Sequence, residues 1–152
     1  MLASQKKPRE TSSISKSKIL LVDDETDIVA NYKTALTLDG FAVEGFTNPE
    51  KALLGFKPAD YDLVILDIRM PKMNGFELYR EIRKRDEKVK IYFMTAFEIY
   101  KTEFEKVLPS IKIEGFITKP ITMTSLCSIV QGALGKRNSR DKLDLHTLEC
   151  QV

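Results

Sequence analysis

KILLVDDETD, residues 18–27, decides the fold. Four apolar residues, Ile19 to Val22, form a short unbroken run and stop at Asp23-Asp24, with Glu25 and Asp27 close behind. A continuous apolar run of this length suits a strand covered on both faces, as in a parallel sheet. Residues 27–39 follow with Ile28, Tyr32, Ala35 and Leu36 near helical spacing, closed by Gly40. The unit is strand, acidic mouth, helix. The carboxylates crowd the strand's end, where like charges repel.

The same alternation continues outward. Residues 41–46 read as a second strand, and Thr47-Asn48-Pro49 starts a helix that runs to about Phe56. Residues 63–66 form a third apolar strand ending in Asp67. Asn74 caps a helix over 75–85 with Phe76, Tyr79 and Ile82 on one face. Residues 90–94 form a fourth strand ending in Thr95, and a fourth helix is expected over 97–108, stopped near Pro109. Residues 114–118 form a short fifth strand ending in Lys119-Pro120. A helix over 122–134 then carries Leu126, Ile129, Val130, Ala133 and Leu134 as its apolar stripe. Five strand–helix repeats predict a parallel sheet with helices on both faces and right-handed crossovers.

The chain has 152 residues, 43% hydrophobic and 30% charged, which suits one globular domain with a single core. Residues 1–17 are rich in Ser and Lys and are expected to be a disordered arm. The folded domain is placed at 18–134. Residues 135–152 are a tail that extends the last helix or begins a linker. No apolar run approaches the roughly 20 residues of a membrane helix, and the first residues have no signal-peptide core. Cys127 and Cys150 form neither a disulfide framework nor a metal motif, so a reduced, cytoplasmic chain is expected. Residues 1–18 carry five Lys/Arg against one acid, whereas 19–134 carry fifteen against eighteen. The basic character therefore comes from the ends, and direct nucleic-acid binding by the middle is not expected.

In open α/β sheets the site lies at the carboxyl ends of the strands. Here strand one ends in Asp23 and Asp24, strand three in Asp67, strand four in Thr95 and strand five in Lys119. Taken singly, each has an ordinary explanation as a turn former, a local hydrogen bonder or a solvated cation. Together they converge on one rim. Three adjacent carboxylates call for a cation, and a hard divalent ion with oxygen ligands is the natural guest. A carboxylate, a divalent ion, a lysine and a hydroxyl make a place for a phosphoryl group, with a carboxylate able to act as the nucleophile.

These residues sit in four segments: LLVDDE (20–25), LDIRMPKMNGFEL (66–78), FMTA (93–96) and GFITKP (115–120). As a set they resemble the receiver domain of two-component response regulators, from about Lys18 to Leu134. The resemblance implies a flavodoxin-like (βα)5 doubly wound sandwich with strand order 2-1-3-4-5. It implies that Asp67 is the phosphoacceptor. Asp24, Asp67 and the backbone carbonyl of Arg69 would hold Mg²⁺, or Mn²⁺ in its place, and Asp23 would act through a metal-bound water. Thr95 and Lys119 would bind phosphoryl oxygens. Phe116 would be the aromatic that turns inward as Thr95 moves, reshaping the surface of the fourth helix, fifth strand and fifth helix. The Lys119-Pro120 bond is expected to be cis. The donor would be a sensor histidine kinase or a histidine phosphotransfer protein. The output would be a downstream protein target or a further domain, and a homodimer through the switch surface is a further expected contact. Such a chain catalyses its own phosphorylation and dephosphorylation and has no diffusible substrate. Arg69 and Phe97 are expected either to overhang the phosphoryl group and slow its hydrolysis or to point to solvent.

Other readings are weaker. His146, the only histidine, lies in the tail without a helical hairpin around it. There is no G-x-G-x-x-G and no P-loop. A haloacid-dehalogenase-type phosphatase wants a second Asp two residues after the nucleophile, where this chain has Arg69. A flavodoxin wants a Ser/Thr/Gly-rich loop after the first strand, where this chain has DDETD. A phosphorylation-independent scaffold on the same fold stays as the alternative.

Overall fold

The computed structural model describes residues 16–96 and 111–135. Its elements run β1 (Lys18–Val22), α1 (Thr26–Leu38), β2 (Ala42–Phe46), α2 (Pro49–Gly55), β3 (Leu63–Asp67), α3 (Gly75–Arg85), β4 (Lys90–Thr95), β5 (Gly115–Thr118) and a C-terminal helix, Met123–Leu134. The expected arm at 1–17, apart from its last two residues, the helix at 97–108 and the tail beyond Gly135 lie outside the described residues.

The five strands form one parallel sheet in the order β2-β1-β3-β4-β5. Every residue of β3 is buried, and so is all of β1 after Lys18. The edges β2 and β5 are only partly covered. Alternate side chains feed two cores. Leu20, Val22, Val64, Leu66, Ile91 and Phe93 pack with Leu78, Tyr79 and Ile82 of α3 on one face. Ile19, Leu21, Leu63, Ile65, Met94 and Ile117 pack with Tyr32 and Leu36 of α1 and with Leu126 and Val130 on the other. This two-sided burial is why the strands read as apolar runs and the helices as stripes.

The helix ends follow local chemistry. Asn48 caps α2 through bonds from the Glu50 and Lys51 amides, with Pro49 in the first turn. Asn74 and Glu77 form a reciprocal capping box at the start of α3, each side chain accepting the other's backbone N–H at 2.9 Å. Thr122 caps the C-terminal helix, and Gly135 ends it in the left-handed conformation. Boundaries differ from the sequence expectation by a residue or so: β2 begins at Ala42, β3 includes Asp67 and β4 includes Thr95.

Candidate functional site

Sheet register alone brings the site together. Val22 is aligned with Leu66, so Asp23 and Asp67 follow side by side. Asp67 is aligned with Met94, which sets Thr95 one step beyond, and Thr95 is aligned with Thr118, which sets Lys119 one step further. Backbone bonds carry the ladder past the strands: Ile68 N–H donates to Met94 O at 3.1 Å and Lys119 N–H to Thr95 O at 2.7 Å. The Lys119-Pro120 peptide is cis.

Asp23, Asp67, Thr95 and Lys119 are all buried, whereas Asp24 is exposed. Burying charge without compensation is costly, and the compensation here is Lys119. Its Nζ lies 2.8 Å from Asp23 Oδ2, 3.3 Å from Glu25 Oε1 and 3.4 Å from Asp67 Oδ1. The other Asp23 oxygen accepts the Glu25 amide at 2.9 Å. Asp23 is thus engaged at both oxygens, which leaves Asp24 and Asp67 better disposed to an outside ligand.

The electrostatics follow. Burial, reinforced by the neighbouring Asp23 charge, pushes Asp67 up to about 7 despite Lys119. Burial also raises Asp23, against the hydrogen bond from Lys119. For Lys119 burial alone would lower the ammonium, but the bond to Asp23 and the charges of Asp23 and Asp67 outweigh it and hold it above its usual value.

A cleft of about 210 Å³ opens beside these groups, lined by Asp24, Glu25, Asp67, Arg69, Thr95, Ala96 and Lys119. Asp23, Asp24 and Asp67 each offer a carboxylate oxygen, the three within 4.8 Å of one another. Three hard oxygens at that separation fit a divalent cation of the Mg²⁺ class and not a thiophilic one.

The loop after Asp67 is shaped to reach this cleft. Gly75 N–H donates to Ile68 O at 2.8 Å, folding the loop back, and Lys72 takes a positive φ of 71° on the way. A Cβ on Gly75 would stand 2.3 Å from the Asp67 carbonyl oxygen and 2.9 Å from Ile68 Cα, so α3 can start this close only from glycine. Arg69, at the cleft wall, is exposed. Phe97, its expected counterpart, lies outside the described residues, as do His146 and Cys150.

Phe116 is half-buried, and its ring centroid is 6.1 Å from that of Phe93. Phe93 also meets Phe76 edge-on at 5.2 Å and Tyr79 at 5.7 Å. Three contacts here escaped the sequence reading. Tyr79 Oη accepts the Lys112 amide at 2.8 Å and Arg83 donates to Lys112 O at 2.8 Å, tying α3 to the run into β5, while Arg83 also donates to Val89 O at 2.6 Å, just before β4. Glu25 also escaped it as a partner of Lys119. Its one sequence signal is a glutamate, a poor helix cap, at a helix start.

A buried aspartate, an acidic trio and a lysine at the carboxyl rim of a 2-1-3-4-5 sheet define the receiver class. The response regulator receiver domain family matches residues 19–131, and the chain belongs to that family. The chain is 31% identical over 134 residues to the transcriptional regulatory protein RprY of Bacteroides fragilis, covering 84% of this chain and 55% of that protein. Among solved structures it resembles the response regulator TrrA of Thermotoga maritima in complex with Mg²⁺-BeF: 34% identity, TM-score 0.66, 78% of this chain and 99% of that one. It also resembles the non-phosphorylated HemR receiver domain of Leptospira biflexa: 27% identity, TM-score 0.71, 81% and 98%. The chain spans about half or less of the length of the first curated relatives it matches. Among the described residues no helix is long and apolar enough to cross a membrane.

Proposed function

We propose that this chain is a phosphoacceptor switch in which Asp67 takes a phosphoryl group from a phosphohistidine. The donor is a sensor histidine kinase or a histidine phosphotransfer protein, met in the cytoplasm. The observation that carries this reading is a buried Asp67 facing an open cleft with Lys119 Nζ 3.4 Å away. An Asp67 oxygen attacks phosphorus, the P–N bond to the donor histidine breaks, and the imidazole leaves with the bonding pair. Lys119 and Thr95 each bind an oxygen of the transferred group, so the protein contributes position and charge.

Asp24, Asp67 and the Arg69 carbonyl are assigned as holders of Mg²⁺ or Mn²⁺, with Asp23 one step removed. Both Asp23 oxygens already have partners, which supports that division. When bound, the cation offsets the carboxylate charge, favours ionised Asp67 and neutralises phosphoryl oxygens. Replacing Asp24 is expected to weaken Mg²⁺ binding more than replacing Asp23; equal losses in a metal titration would refute the division.

Phosphorylation adds about −1.5 to −2 charges at neutral pH. Thr95 is drawn to the new group, and Phe116 moves into the space released. The half-burial of Phe116 at the edge of the core, beside Phe93, supports Phe116 as the moving part, because a ring with one side towards solvent shifts at less cost than a fully buried one. The changed surface then favours one partner state: a downstream target, a further domain or a second copy of the chain. Mg²⁺-dependent labelling by acetyl phosphate tests the reading. Asp67→Asn is expected to abolish it, and undiminished labelling of that variant would sink the reading.

A further inference from the structure

Lys119 has three carboxylate partners, and they differ in kind. Asp23 and Asp67 are buried, whereas the Glu25 side chain is 63% exposed. Glu25 is also the N-cap residue of α1, yet its side chain makes no capping hydrogen bond. A negative charge beside the first turn is favoured by the free amides and the helix dipole there. Here it turns away from them, across the mouth of the cleft, to Lys119 Nζ at 3.3 Å. Its backbone meanwhile donates to Asp23 Oδ1.

We propose that Glu25 is an exchangeable counter-ion for Lys119: a positioning residue that holds the ammonium in the resting protein and releases it to the anion arriving at Asp67. The proposal rests on the phosphoacceptor reading. An ion pair with one partner mostly in water contributes little, so Glu25 can swing into solvent at small cost. Asp23 cannot, being buried and bonded at both oxygens. Once an anion sits beside Asp67, a carboxylate remaining at the Glu25 position faces like charge across the same 210 Å³ cleft. Glu25 therefore opposes anion uptake twice, by competing for Lys119 and by its own field. Lys119 trades a weak partner for a strong one and keeps Asp23 throughout.

The test is a titration of the full chain with beryllofluoride at saturating Mg²⁺, comparing wild type, Glu25→Gln, Glu25→Asp and Asp67→Asn. Glu25→Gln is expected to bind beryllofluoride about three- to ten-fold tighter, the gain shrinking as salt rises. Glu25→Asp, which keeps the charge, is expected to stay nearer to wild type. In a separate titration with Mg²⁺ alone, Glu25→Gln is expected to lose less than about ten-fold in affinity, as suits loss of a nearby charge and not of a ligand. Beryllofluoride affinity unchanged or weaker in Glu25→Gln overturns the proposal, and so does a larger loss of Mg²⁺ affinity, which would make Glu25 a metal ligand. Failure of the underlying reading looks different: wild type takes up no beryllofluoride, or Asp67→Asn takes it up equally well, and both ideas fall together.

Discussion

Two lysines sit among carboxylates at different strand ends of this sheet, and only one of them is in a site. Lys18, opening β1, lies 2.6 Å from Asp60, 3.2 Å from Glu44 and 5.0 Å from the centre of the Tyr61 ring. Lys119, following β5, lies 2.8 to 3.4 Å from Asp23, Glu25 and Asp67. The ingredients match, and both ammonium groups are held above their usual value. Solvent separates them: the Lys18 side chain is 29% exposed and that of Lys119 only 7%. Water screens the first cluster into an ordinary surface brace. Around Lys119 the same charges are desolvated and face a cleft, so they can be spent on a ligand.

Neutralising each lysine is the sharpest way to break this comparison. Lys119→Met leaves buried Asp23 uncompensated and is expected to cost about 3 kcal/mol at pH 8. Lys18→Met removes a screened pair and is expected to cost less than about 1 kcal/mol. Denaturant melts of the two variants measure both, and equal losses would show that burial is not what distinguishes the clusters.

Packing separates the same two ends. Gly75→Val forces a side chain onto the Asp67 carbonyl and is expected to cost about 2 kcal/mol or more. Gly132, in the C-terminal helix, has nothing within 4 Å of an added Cβ. Gly132→Ala is therefore expected to stabilise by about 1 kcal/mol. Thermal melts decide, and a tolerated Gly75→Val would mean the loop after Asp67 can yield.

The two clusters also respond oppositely to pH. Asp67 is raised from 3.8 to about 7 in the folded chain, chiefly by burial. Its contribution to stability is complete below pH 3.8 and is lost as pH rises through about 7. Without divalent cations, Asp67→Asn should gain on wild type between pH 5 and 8. Glu44 is lowered from 4.5, first by the hydrogen bond from Tyr61. Its contribution is present above pH 4.5 and fades as pH falls through the lowered value. Glu44→Gln should trail wild type at pH 6 and converge with it in acid. Melting profiles in EDTA check both signs, and parallel profiles would contradict them.

The strand ends were legible in the sequence because the sheet is parallel and doubly covered. Each buried strand is an apolar run, and the polar or charged residue that ends it marks the rim. Asp23, Asp67, Thr95 and Lys119 were placed that way and meet at adjacent register positions. What stayed hidden depends on side-chain direction over long separations. Glu25 meets Lys119 across 94 residues, and Tyr79 meets Lys112 across 33. No local pattern announces such contacts, since a long side chain at a helix start or on a helix face has several rotamers. In the sequence Gly75 reads as part of a helix start; its close approach to Asp67 needs the folded loop.

Phe93 has a consequence for measurement. Its ring lies among those of Phe76, Tyr79 and Phe116, at 5.2, 5.7 and 6.1 Å. Each of those rings generates a magnetic field that shifts the Phe93 proton resonances. The chain has no tryptophan, so no indole signal crowds the aromatic region of its proton spectrum. A displacement of Phe116 is thereby transcribed into the chemical shifts of a residue that itself stays in the core.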